Sequence, residues 1–131
     1  MKVQSVEELL QPGKLIHIIG VCVNVEGSIA NTGIAMGILG VEVALMGKLG
    51  NDTFGQMIQR NLEHYSLCSG LNVSEGVSTF YSVILTIHGI DRISLHDPGG
   101  DDRFYAENIP EKFLEEVALF HFGYPPLMKS M

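Results

Sequence analysis

The chain has 131 residues, 46% of them hydrophobic, and a formal net charge of −7. That length holds one domain or part of one, and that apolar content excludes a disordered chain. The acidic balance argues against nucleic acid, which calls for a basic surface, and no apolar run approaches the length of a membrane span.

The first residues, MKVQSVEELLQ, carry two acidic groups and no signal-peptide core. Cysteine occurs only at Cys22 and Cys68, without metal-ligand spacing. Reduced thiols in a cytoplasmic protein are the expectation. Residues 5–10 are expected to form a short helix, broken at Pro12-Gly13. Residues 15–25, LIHIIGVCVNV, are apolar almost throughout, the pattern of a central parallel strand. His17 within it reads either as a buried, hydrogen-bonded neutral histidine or as a ligand. Asn24, at the carboxyl end, is a turn residue or a hydrogen-bonding amide that both donates to and accepts from hydroxyls.

Gly27 takes backbone geometries closed to other residues and leaves room beside the main chain. Ser28 or Asn31 is expected to cap the helix that follows, over residues 29–39. Its small residues, Ala30, Gly33, Ala35 and Gly37, suit close approach to a sheet. Gly40 is placed as its left-handed terminator. Residues 41–46 then read as one buried strand, ended by Gly47-Lys48-Leu49-Gly50. Asn51, Asp52 and Thr53 are three cap candidates, Thr53 pairing with Gln56 in a capping box. The next helix carries Phe54, Met57, Ile58, Leu62 and Tyr65 at helical spacing.

Beyond a loop at 66–70, residues 71–73 read as a short strand. Residues 77–87, VSTFYSVILTI, read as a strand rich in β-branched and aromatic residues. A hairpin loop at 88–91 returns the chain through 92–96. His96-Asp97-Pro98-Gly99-Gly100-Asp101-Asp102 is either a solvated turn or an oxygen-rich metal site. It lacks a calcium-loop pattern, so no metal is assigned. A helix starts around Pro110, and residues 118–122 read as a second buried strand, His121 being structural. Gly123-Tyr124-Pro125-Pro126 leaves its carboxyl end. Alternation of this kind is the grammar of an open α/β sheet, whose ligands bind beyond the carboxyl ends of the strands.

Residues 27–55, GSIANTGIAMGILGVEVALMGKLGNDTFG, closely resemble the N-terminal signature of the ribokinase, or PfkB-type, carbohydrate kinase family. Gly27, Asn31, Leu39, Gly40, Gly47, Lys48, Gly50, Asp52, Phe54 and Gly55 match its pattern. The resemblance implies a ribokinase-like three-layer α/β/α fold with a mostly parallel sheet, of which this chain is the N-terminal, substrate-binding part. It implies ATP-dependent phosphorylation of a sugar or sugar-like hydroxyl by the complete protein, using ATP and Mg²⁺. It places the sugar near Asn24, Gly27, Ser28 and Asn31, with Tyr81 on a nearby strand to stack or hydrogen-bond. Ser28 stands where some relatives use a lysine. The aspartate-containing catalytic motif of the family has no match here, nor is there a GxxxxGK[ST] loop. The catalytic residues are therefore expected beyond Met131, and this chain alone is expected to be inactive.

Two departures accompany the likeness. The family aspartate near the end of the first strand is replaced or displaced, its neighbourhood here being Asn24, Val25 and Glu26. The family's small β-lid between that strand and the glycine turn has no counterpart at this join, where either the member lacks it or residues are omitted, and Glu26 stands where the first glycine of the pair belongs. These departures support an alternative, a non-catalytic sugar-binding or assembly module with the same fold. A small-molecule sugar is the expected partner, with neither nucleic acid nor membrane, and a homodimer is open. A Rossmann-type nucleotide binder is disfavoured because no GxGxxG follows the first strand.

Overall fold

The computed structural model describes Glu7 and residues 10–123. Contacts divide the chain into two compact units. One joins the segment ending at Asn24 to Ser82–His96, and the other joins Val25–Tyr81 to the segment starting at Asp97. The helix expected over residues 5–10 lies, apart from Glu7 and Leu10, outside the described residues.

The larger unit starts with helix α1, Ser28–Ile38. Gly33 is buried on it, and a Cβ there would lie 2.5 Å from Leu45 Cδ2, so this glycine sets how closely the helix approaches Leu45. Gly40, at φ 81°, ends the helix. The Val41 N–H reaches back to the Met36 carbonyl and the Gly40 N–H to that of Gly37, each at 3.0 Å. This closure satisfies carbonyls that a helix end otherwise leaves open.

Strand β1, Met46–Gly50, pairs in parallel with β2, Gly70–Ser74, from Met46 opposite Gly70 to Gly50 opposite Ser74. A parallel pair needs a long crossover, and helix α2, Thr53–Glu63, supplies it. Leu45, Leu62 and Leu67 are buried together, with Ile29, Ile34, Val43, Ile58, Tyr65, Cys68 and Leu71 packed around them. Helix α2 leaves through Ser66, at φ 59°. There the Leu67 N–H reaches the Leu62 carbonyl at 3.1 Å and the Ser66 N–H that of Glu63 at 2.9 Å.

Strand β1 lies further along the chain than the apolar run predicts. The residues expected to end the strand, 47–50, are the strand itself. The ladder starts where β2 begins to oppose it, and the Asn51 N–H extends it to the Ser74 carbonyl at 3.3 Å.

Strands β3, Tyr81–Leu85, and β4, Ile93–Asp97, form a second two-stranded sheet. Their connection, residues 86–92, is too short for a parallel crossover, so the pair is an antiparallel hairpin. Ser82 Oγ and His96 Nδ1 lie 2.9 Å apart across it. A 3-10 helix, Gly99–Arg103, and a second, Ala106–Asn108, lead to helix α3, Glu111–Glu116, with Pro110 at its start.

Two expected strands do not form. Residues 15–25 and 118–122 carry no ladder, and Leu15, Ile18, Ile19, Val21, Val23, Leu119, Phe120 and Phe122 are exposed. An apolar run becomes a strand only when a neighbour takes its N–H and C=O groups, and β1 is paired to β2 instead. His17 and His121 are accordingly exposed, not buried as expected.

Candidate functional site

Gly27 precedes α1 at φ 108° and ψ 153°. A side chain there would be strained by the backbone alone, although no atom lies within 4 Å of where its Cβ would stand. The position is therefore both reserved for glycine and open to solvent. Its carbonyl receives the Asn31 N–H at 3.0 Å, closing the first helical bond.

No side chain caps α1, contrary to the expectation for Ser28 or Asn31. The Asn31 side chain turns outward instead, its Nδ2 donating to Glu26 Oε2 at 3.3 Å. Without a side-chain acceptor, the first-turn N–H groups sit at the positive end of the helix dipole. Ser28 is half-buried, and a Cβ at Gly123 would lie 2.9 Å from its Oγ and 2.5 Å from Ile29 Cγ1. The exit of the 118–122 segment thus lies against the start of α1. Gly123 helps to shape this turn, and its only sequence signal was its place after an apolar run.

The other two predicted residues lie elsewhere in the chain. Asn24 is in the smaller unit, exposed, with its Nδ2 3.3 Å from Cys22 Sγ. Tyr81 opens β3 and stacks on Phe54 of α2, ring centroids 5.2 Å apart and planes inclined by 27°. Gly27, Ser28 and Asn31 are brought together by a single turn.

The second half of the signature, GKLGNDTFG, builds an anchoring knot in the same unit. The Asp52 carboxylate caps α2, Oδ1 accepting the Gly55 N–H at 2.8 Å, so the expected Thr53 cap is not the one used. Its Oδ2 accepts the Thr79 N–H at 2.7 Å. The Thr79 hydroxyl, fully buried, accepts the Gly50 N–H at 2.9 Å. A Cβ on Gly50 would run into the Val77 carbonyl, and one on Gly55 into the Gly50 carbonyl. Lys48 Nζ donates to the Arg103 carbonyl at 3.0 Å, tying β1 to the end of the first 3-10 helix. The N–H donors of Gly55 and then Thr79 hold the Asp52 carboxyl below its ordinary value. These residues hold the chain in place, and the only signal for Thr79 is that it is a β-branched residue in a strand-like run.

The acidic segment after His96 is only briefly a turn: the Gly99 N–H donates to Asp97 Oδ1 at 3.0 Å, and the 3-10 helix Gly99–Arg103 follows with Gly100 buried, so the expected solvated turn is only partly found. Among the described residues no three His, Cys, Asp or Glu side chains gather into a set fit for a metal ion. No helix among the described residues is long and apolar enough to cross a membrane.

A model of the pfkB family carbohydrate kinases matches residues 6–130. The chain belongs to that family. Its structure resembles fructokinase from Xylella fastidiosa with bound ATP, at TM-score 0.63 and 23% identity over 70% of this chain and 29% of that one. It also resembles the nucleoside kinase of Methanocaldococcus jannaschii, an archaeal member of the ribokinase family, at TM-score 0.61 and 24% identity over 86% of this chain and 35% of that one. Ribokinase from Thermotoga maritima aligns at TM-score 0.59 and 20% identity, over 70% of this chain and 30% of that one. No curated protein sequence matches. The chain of this pfkB member therefore has the ribokinase-like α/β fold and spans about a third of the length of these kinases.

Proposed function

We propose that this pfkB-family chain supplies the substrate-holding part of a kinase that transfers phosphate from ATP to a hydroxyl of a sugar or sugar-like molecule. The observation that carries the proposal is the open, positive-φ backbone at Gly27, with Asn31 one helical turn on. A ring carrying hydroxyls approaches the bare backbone there, and the Asn31 amide both donates to it and accepts from it. The Ser28 hydroxyl adds a hydrogen bond, and Tyr81 of the same unit offers a ring face or its hydroxyl. Phosphoryl transfer rests on positioning and on charge stabilisation around the phosphates. Those parts, with ATP, Mg²⁺ and the general base, belong to the portion of the kinase that lies beyond this chain.

Calorimetric titration of the folded chain with pentoses, hexoses and nucleosides tests the binding half of the proposal. Saturable binding of a hydroxylated ligand, weakened by Asn31→Ala, is the expected result. Phosphorylation of the same panel with ATP and Mg²⁺, by this chain and by one extended along its reading frame, tests the rest. Transfer only by the extended chain supports the division of labour. Binding without transfer by either favours a non-catalytic sugar-binding module, and absence of both removes the sugar reading.

A further inference from the structure

We infer that the stacked rings of Phe54 and Tyr81 form a shelf for a planar heteroaromatic ring carried by the substrate, so that the site takes a nucleoside in preference to a bare sugar. The inference rests on the sugar-kinase reading above and names the substrate class within it. Strands β1 and β2 run parallel and end level, Gly50 opposite Ser74. One segment leaves each carboxyl end: residues 51–52 lead into α2, and residues 75–80 lead into β3. Each brings one ring, Phe54 in the first turn of α2 and Tyr81 at the start of β3. The rings meet with centroids 5.2 Å apart and planes inclined by 27°. They are therefore carried by the segments that leave the edge where open α/β sheets bind ligands.

The chemistry left available on these segments is aromatic. Phe54 is 41% exposed and Tyr81 40%, although each already covers part of the other. The polar groups nearby are engaged within the chain: Asp52 accepts the Gly55 and Thr79 N–H groups, and the Thr79 hydroxyl accepts the Gly50 N–H. Those bonds also join the two segments, so the ring pair is held before a ligand arrives, which lowers the cost of ordering it on binding. A polyol needs hydrogen-bonding partners that these segments have spent. A nucleobase extends an offset stack of rings, and that stacking needs no hydrogen bond. Gly27, Asn31, Phe54 and Tyr81 belong to the same compact unit.

The test titrates the folded wild-type chain, Phe54→Leu and Tyr81→Leu calorimetrically with D-ribose, uridine and adenosine. The wild type is expected to bind adenosine about tenfold or more tighter than ribose, the size of one base stacked on an aromatic side chain. Uridine, with the smaller ring, should fall between them. Each leucine keeps apolar bulk but loses the π face, so the ratio of adenosine to ribose affinity should drop about fivefold. A purely structural role of the pair would weaken both ligands together and leave the ratio unmoved. In wild type, adenosine should also shift the NMR signals of the Phe54 and Tyr81 ring protons upfield, and ribose should not. Equal affinity for adenosine and ribose, or a ratio unmoved in both variants, overturns the shelf and leaves the sugar site standing. A folded wild type that binds neither ribose nor adenosine overturns both.

Discussion

The Asp52 carboxylate takes the Thr79 backbone N–H at 2.7 Å, joining the start of α2 to a residue 27 positions later. The same carboxylate takes the Gly55 N–H at 2.8 Å. One side chain therefore caps a helix and fixes the approach to β3. The same contacts give Asp52 and the glycines beside it a structural reason to occur together.

Replacing Asp52 with asparagine should cost about 1–3 kcal/mol, because its amide NH₂ cannot accept the second N–H and leaves a donor unpaired. The pH dependence follows from the lowered carboxyl. Its folded-state pKa lies below the ordinary value of 3.8, so its contribution is complete above that value. The contribution is lost as pH falls through the lower folded value. Urea midpoints of wild type and Asp52→Asn should differ clearly at neutral pH and converge in acid. A constant gap across that range would remove the charged carboxylate as the cause.

Ser66 is the described non-glycine residue with positive φ, at 59°, in the closing turn of α2. Ser66→Gly should relieve left-handed strain and stabilise the chain by about 1 kcal/mol. Gly40→Ala, at the matching place after α1, should destabilise it by about as much. Thermal melts of both variants check the pair, and equal melting temperatures would mean that neither turn limits stability.

Gly123→Val should disturb the start of α1, since even a Cβ there lies 2.5 Å from Ile29 Cγ1. Overpacking of this kind costs about 1–3 kcal/mol. Amide NMR shifts are expected to move at Ser28 and Ile29, and sugar affinity should fall even though Gly123 need touch no ligand. Unmoved shifts at Ser28 would refute this packing role.

Tyr81→Phe and Tyr81→Ala separate the two uses of that ring. If its hydroxyl binds substrate, Phe should weaken sugar binding about fivefold, as for one hydrogen bond. If stacking on Phe54 is its whole role, Phe should be silent, while Ala costs stability through the lost aromatic pair. Calorimetry and urea melts of the two variants give the answer.

The local elements were legible where local chemistry decides them. Small residues, Gly40 and the polar cap residues delimit α1 and α2 within a residue or so, and turn residues mark the hairpin. Strands were less legible because a ladder depends on a distant partner. Residues 15–25 have the composition of a central strand but stay unpaired, and β1 begins only where β2 can oppose it. Thr79 was read as part of a long strand, yet Asp52 and Gly50 take its N–H and hydroxyl and the ladder starts at Tyr81. At the candidate site, the glycine turn at Gly27 and the helix after it were readable from local chemistry, whereas the Glu26–Asn31 pairing depends on side-chain directions that spacing does not encode.

The solvent-facing aliphatic residues from Leu15 to Val23 also govern how this protein behaves in the tube. Uncharged, β-branched stretches of that kind stack readily between molecules into cross-β fibrils. Concentrated stocks should therefore cloud with a lag, and a short synthetic peptide of residues 15–23 should abolish the lag by seeding. A lysine in place of Ile19 would act as a gatekeeper and keep the preparation clear.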